Sequence, residues 1–396
     1  MAQKKFFIAA AAGLSLLVAG CGSTSNAGGS GASAGGAGAT QAAIGSDQIC
    51  GKGTGAKPGY KNDIAKVEGG KKQLSGAGST FVAPMMSVWT KDYASLDGVQ
   101  VAYQSIGSGG GVKQISAQTV DFGASDTPMK DEELSAAKGG EILHIPLVLG
   151  GVVPTYKVNG QQSGLKFTGE VLGKIFSGKI TKWNDPELTK LNPNAKLPDE
   201  PIAVVHRSDG SGTTAVWTDY LTKASPTWVS TLGEGKSKGK EVAWPTGIGG
   251  KGNEGVSGAV SQTEGAIGYV ELSYALAQNL PYGLVQNKAG KFIQPCIETV
   301  SAATEGAKFP PDLRTSLTDE PGKDAYPITG TTYALVYTKQ TDAPTAASLV
   351  NFFSWVLSQG QDDAAAVNYS PLGKDLRGLS VAQVKKITLN GTPVAK

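Results

Sequence analysis

The chain of 396 residues changes its pattern of apolar and polar positions twice. Phe6 to Gly20 is a near-continuous apolar run, and residues 22–47 are almost wholly Gly, Ala, Ser, Thr and Asn. From about Leu74 onward, short apolar runs are separated by clusters of Gly, Ser and Thr. Val99 to Tyr103 and Ile202 to Val205 read as strands, whereas Val82 to Trp89 and Ala215 to Leu221 read as helices. Strands alternating with helices predict parallel α/β layers. The more than 300 residues beyond Leu74 suffice for two lobes with their own cores.

The first regime is not part of that fold. Lys4 and Lys5 followed by an apolar run have the form of an export signal, and the run is short for a membrane span. It ends in Leu17-Val18-Ala19-Gly20-Cys21, which looks like a bacterial lipobox, so Cys21 is expected to become the lipid-modified first residue of the mature chain. A retained start-transfer helix is the alternative. Residues 22–47 cannot bury enough apolar surface to offset their ordering entropy, which predicts a flexible tether. The expected location is the cell envelope, lipid-anchored to the outer face of the cytoplasmic membrane, or periplasmic.

Charge and cysteines narrow the classes further. The formal net charge is +3, and loss of Lys4 and Lys5 with the leader brings it close to zero. Without a Lys/Arg-rich run this argues against a nucleic-acid partner. Once Cys21 is lipidated, Cys50 and Cys296 remain. In an exported chain this even remainder suggests a disulfide, which would staple Ile49 to Lys72 onto the body; two unrelated buried thiols are the alternative. With only His144 and His206 and no clustered ligands, no metal site and no cofactor are expected.

The candidate chemistry lies in the Gly/Ser/Thr clusters. His206-Arg207-Ser208-Asp209-Gly210-Ser211-Gly212-Thr213-Thr214 joins a strand to a helix start. Such a junction leaves backbone N–H groups unpaired at the positive end of a helix, a natural seat for an anion. Ser211 and Thr213 add hydroxyl donors, and Arg207 adds a forked cationic donor suited to a tetrahedral oxyanion. Alone, the segment reads equally well as a capped helix after a Gly-rich turn. Ser75 to Phe81 and Gln104 to Gly111 repeat the pattern before their own apolar-periodic segments. None of the three fits a nucleotide-binding glycine motif.

Asp126, after the short strand-like run Val120 to Ser125, sets the choice of anion. An ordinary turn before Pro128 is its bland explanation. Beside an anion site, a carboxylate repels a fully ionised oxyanion but accepts a hydrogen bond from one that retains a proton. Phosphate retains one near neutrality and sulfate does not, so the site is expected to prefer phosphate. Asp126→Asn is expected to narrow that preference while weakening phosphate itself little.

These segments in this order resemble the substrate-binding proteins of bacterial high-affinity phosphate ABC transporters, over roughly Leu74 to the C-terminus. The likeness includes Leu143 to Tyr156, Gly178-Lys179-Ile180-Thr181-Lys182-Trp183-Asn184-Asp185, Gly252-Asn253-Glu254-Gly255-Val256, Gly265 to Val270 and Tyr326 to Thr329. The resemblance implies a two-lobed periplasmic binding protein fold of type II, in the α/β class, with its ligand cleft between lobes joined by a two-segment hinge. Residues 1–20 would be the lipoprotein signal peptide and 21–72 the lipidated cysteine, tether and extension. Residues 73–153 with 328–396 would form lobe one, and 154–327 lobe two. By the same resemblance phosphate is held by Thr80, Phe81, Ser108, Asp126, Arg207, Ser211, Gly212 and Thr213, with Asp209 orienting Arg207. His206 departs from relatives that carry a second arginine there, and the extension before Lys72 is longer than the plain family pattern.

The implied function is capture of inorganic phosphate and its delivery, by a monomer, to the permease and ATPase subunits of an ABC importer. No catalytic residue is expected. The alternatives are a secreted phosphate-ester hydrolase, which would need a nucleophile with a base or a two-metal cage, and a binder of another oxyanion.

Overall fold

The computed structural model describes residues 50–51 and 57–395; the export signal, Cys21 and the Gly-rich tether lie outside the described residues. One sheet of nine strands organises the chain. Its members are β1 (Gln73–Gly78), β2 (Gln100–Ser105), β3 (Phe122–Ser125), β4 (Ile142–Lys157), β5 (Ala203–Arg207), β6 (Ile248–Gly250), β7 (Ala266–Glu271), β8 (Leu317–Thr318) and β9 (Ile328–Tyr337). They lie in the order β2-β1-β3-β9-β4-β7-β5-β6, with β8 paired to β9. Five helices frame the core and the site: α1 (Ala83–Asp97), α2 (Ser108–Ser116), α3 (Gly212–Ala224), α4 (Gly252–Gln262) and α5 (Ala343–Val356).

The parallel layers expected from the sequence occupy the two ends of the sheet. β1 pairs in parallel with β2 and β3, and β5 with β7 and β6. The centre is antiparallel, because two long strands carry the chain between the ends in opposite directions. Ile142 to Gly151 of β4 pair with β9, whereas Val152 to Lys157 pair with β7. All ten residues of β9, and all of β4 but Lys157, are buried, so both strands lack the polar alternation of a half-exposed strand, and the threonines of β9 are buried with the rest.

Two sequence features shape this centre. Gly150, just before β4 changes partner, admits the Phe81 ring: a Cβ there would stand 2.7 Å from it. Pro146 cannot donate to the ladder, and β9 shifts register opposite it, with Thr332 facing Val148 and Tyr333 facing Pro146. Trp89, Tyr93, Phe352 and Phe353 fill the core under α1 and α5, Tyr93 meeting Phe352 edge-on at 5.1 Å. Phe176, Trp217 and Tyr269 fill the other end, where Trp217 stacks on Tyr269 at 5.0 Å.

Element boundaries differ from the sequence reading in instructive places. The helix read over Val82 to Trp89 continues to Asp97 and stops at Gly98, whose φ of 69° caps it. α2 and α3 take their glycines into the first turn instead of following them, because backbone packs there: a Cβ on Gly111 would stand 2.6 Å from the Gly78 Cα. Cys50 and Cys296 are joined in a disulfide. The extension is also held by Arg377, which donates to the Lys61 carbonyl at 2.6 Å and pairs with Asp63. Among the described residues, no helix is long and apolar enough to cross a membrane.

Candidate functional site

Four helix starts converge beside the centre of the sheet. Three are those anticipated: the Ser79–Val82 turn before α1, the start of α2 at Ser108, and the Arg207 loop before α3. The fourth is α4, whose Gly252 N–H donates to Asp209 Oδ1 at 3.0 Å and whose Asn253 N–H donates to Thr80 Oγ1 at 3.2 Å. All eight residues assigned to phosphate fall in this region. Thr80, Phe81, Ser108, Asp126, Arg207, Ser211 and Thr213 are buried, as is Gly212.

Close approach explains the small residues. A Cβ on Gly212 would stand 2.4 Å from both Asp126 Oδ2 and Ser108 Oγ, so α3 touches the turns after β2 and β3 only because this position is glycine. Gly107, at φ 85°, likewise lets Asp209 and Gly210 reach the α2 start. Ser211 caps α3 by accepting the Thr214 N–H at 2.9 Å. Among the described residues, the N–H groups of Phe81, Gly212 and Thr213 make no hydrogen bond to another main-chain group. They are the orphan donors that an anion would satisfy.

Asp126 is held by three hydroxyls. Ser79 Oγ donates to Oδ1 at 2.5 Å and Thr332 Oγ1 to Oδ1 at 2.8 Å, while Ser108 Oγ donates to Oδ2 at 3.2 Å. Burial pushes its carboxyl up to about 6, against the pull of these hydroxyls and of Arg207. Arg207 forms a bidentate pair with Asp209, Nε to Oδ1 at 2.8 Å and Nη2 to Oδ2 at 2.6 Å, which directs Nη1 to Thr213 Oγ1 at 3.3 Å. Burial raises the Asp209 carboxyl, but the Arg207 hydrogen bonds and charge outweigh it and hold it below the usual range. His206 stacks on Trp244 at 4.9 Å, and burial lowers its pKa, so it brings no second charge beside Arg207 at neutral pH. His144 is also neutral there: burial lowers it to about 4, and its Nε2 accepts the Met129 N–H at 3.0 Å.

Sequence reasoning left out four residues of this network. Ser79 and Thr332 hold Asp126, Asn253 joins Thr80 to Thr213, and Glu271 lies buried beside Asn253. Glu271 donates its N–H to Asn253 Oδ1 at 2.9 Å, and its Oε2 accepts the Ser273 N–H at 2.9 Å and the Ser273 hydroxyl, whereas buried Oε1 has no hydrogen-bond partner among the described residues. Burial pushes this carboxyl up to about 8, with a further contribution from the Asp126 charge. Asp126 also lines a cavity of about 450 Å³ whose lining includes Lys130, Lys238, Lys240 and Arg314.

The site offers N–H and O–H donors in excess, one paired cation and one acceptor carboxylate. It is equipped to surround a small oxyanion that retains a proton. Residues 34–359 match the family model of the PBP superfamily domain. The chain is 44% identical over 307 residues to the phosphate-binding protein PstS of Xylella fastidiosa, covering 77% of this chain and 82% of that one. It is 45% identical over 306 residues to the PstS of Pasteurella multocida, covering 76% and 87% respectively. A solved phosphate binding protein from Stenotrophomonas maltophilia superposes with a TM-score of 0.62 at 21% identity, over 79% of this chain and 94% of that chain. The fold is the two-lobed type II arrangement of periplasmic binding proteins, and the chain belongs to the PstS phosphate-binding protein family.

Proposed function

We propose that the protein captures inorganic phosphate with high affinity outside the cytoplasmic membrane and hands it to the permease of an ABC importer. The observation that carries this reading is Asp126: a buried carboxylate, its Oδ1 filled by Ser79 and Thr332, set against a ring of donors on Gly212, Thr213 and Arg207. Only an oxyanion with a proton of its own satisfies both the donors and that carboxylate. Thr80, Phe81, Ser108, Arg207, Ser211, Gly212 and Thr213 would supply the donors, and Asp209 would fix the plane of the guanidinium.

The lobes of this reading are residues 73–153 with 328–396, and 154–327. The exchange of β4's partner between Gly151 and Val152 supports the boundary, and β9 begins at Ile328 where the chain would return. Thr80, Ser108 and Asp126 already lie against the α3 and α4 starts, so opening about these two crossings would separate them and admit the anion. The protein would work as a monomer without a cofactor, tethered through a lipid on Cys21. Metabolic labelling with palmitate, lost in Cys21→Ala, tests the anchor. Isothermal titration with phosphate, sulfate and arsenate tests the function: one phosphate per chain and little sulfate binding are expected, and equal affinities for the two would refute it. Release of phosphate from a generic ester would favour the hydrolase instead.

A further inference from the structure

Asn253 makes four hydrogen bonds from a fully buried position. Its Oδ1 accepts the Glu271 N–H at 2.9 Å, which fixes the amide the right way round and turns Nδ2 toward the site. Nδ2 donates to Thr80 Oγ1 at 2.8 Å and to Thr213 Oγ1 at 3.1 Å, and the Asn253 N–H adds a second bond to Thr80 Oγ1 at 3.2 Å. Thr213 Oγ1 accepts a second bond too, from Arg207 Nη1 at 3.3 Å.

A hydroxyl has two lone pairs and one proton. At both threonines the lone pairs are filled, and among the described residues neither hydroxyl donates to a protein acceptor. The two O–H bonds must therefore point elsewhere; Thr80 immediately precedes Phe81, and Thr213 immediately follows Gly212, the residues whose N–H groups are left for an anion. Thr80 precedes α1 while Thr213 and Asn253 belong to the other end of the sheet, so the arrangement joins the two. Tyr274 reinforces it by donating to the Thr80 carbonyl at 2.6 Å.

We propose that Asn253 is a positioning residue of the anion site: by filling the lone pairs of Thr80 and Thr213 across the cleft, it turns both hydroxyl protons onto the bound anion and makes that arrangement conditional on closure. This rests on the phosphate-binding reading. Without Asn253 each hydroxyl is free to rotate. With aspartate in its place, both hydroxyls would donate to the new carboxylate and be withdrawn from the ligand.

The test compares phosphate dissociation constants of Asn253→Asp and Asn253→Ala in two backgrounds, wild type and Thr80→Val/Thr213→Val. In the wild-type background the aspartate variant is expected to bind at least roughly 10- to 100-fold more weakly than the alanine variant, the worth of one hydrogen bond to a charged group, with the added charge acting in the same direction. In the valine background that ratio should collapse to the part due to charge alone. If the valine background does not fold, Thr80→Val alone serves, and the ratio should fall about halfway on a logarithmic scale. A purely structural asparagine predicts the same ratio in both backgrounds, since the charge that aspartate adds acts in each of them alike. A ratio unchanged between backgrounds, or alanine weaker than aspartate, overturns the proposal. Wild-type protein that fails to bind phosphate overturns instead the function on which it rests.

Discussion

Asp126→Asn tests how the site reads a ligand's proton. The substitution keeps the shape and removes one charge. The hydroxyls of Ser79 and Thr332 both donate to Oδ1 and hold an oxygen there, so the new amide must place its NH2 at the Oδ2 position, beside Ser108 and the Gly212 backbone. The amide oxygen then cannot reach the phosphate proton. The sequence-based expectation that phosphate weakens little is therefore revised: the ligand O–H is left without its acceptor in a buried site, a cost of about 1–3 kcal/mol. Sulfate gains an amide donor in place of a repelling carboxylate, worth about 1.5–3 kcal/mol. The phosphate-to-sulfate ratio should thus fall by roughly two to four orders of magnitude. The assay is a pair of calorimetric titrations on each protein at one pH and ionic strength. An internal check comes from titration of the wild type: with the carboxyl raised to about 6, sulfate should bind better as pH falls through that value, and Asp126→Asn should lose that dependence. An unchanged ratio in the variant would show that Asp126 does not sense the proton.

Arg207→Ala should weaken phosphate by about 3–5 kcal/mol, because it leaves Asp209 charged and unpaired beside the anion; calorimetry giving wild-type affinity would remove Arg207 from the site. Glu271 should make stability fall as pH rises. Its folded pKa of about 8 lies above the ordinary 4.5, so between those values the native state holds a proton that the unfolded chain has lost. Urea unfolding from pH 5 to 9 should show a decline of a few kcal/mol, on the order expected for such a shift, and Glu271→Gln should flatten it; parallel curves would refute the assignment. The Cys50→Ser/Cys296→Ser variant should lose about 2–5 kcal/mol of stability while binding phosphate with a dissociation constant within about twofold of wild type, since neither cysteine touches a site residue. Urea midpoints and calorimetry on the same preparation decide both halves.

What the sequence made legible is local. Glycine, serine and threonine before an apolar-periodic stretch mark a helix start wherever they occur, and three of the four converging starts carry that mark plainly. The fourth, Gly252-Asn253-Glu254-Gly255, was visible only as part of a resemblance, since nothing within it foretells that Asn253 will meet Thr80 from 173 positions away. Thr332 is hidden for a similar reason: it sits in a strand whose ten residues are all buried, and its partner Asp126 lies 206 positions away. Glu271 ends an apolar strand and looks like a surface acid, yet β4 runs alongside it and removes it from water. These long-range placements change the electrostatics of the site. Arg207 stood out in the sequence as a full positive charge, but its fork is occupied by Asp209, and the pair is close to neutral. The charge of a bound anion must therefore be met chiefly by dipoles: the orphan N–H groups at the helix starts, together with hydroxyls whose protons Asn253 directs. Such a site holds its ligand by the number and aim of its donors, which is why its glycines, at 2.4 Å from Asp126 and Asp209 for a notional Cβ, are as much a part of recognition as its one arginine.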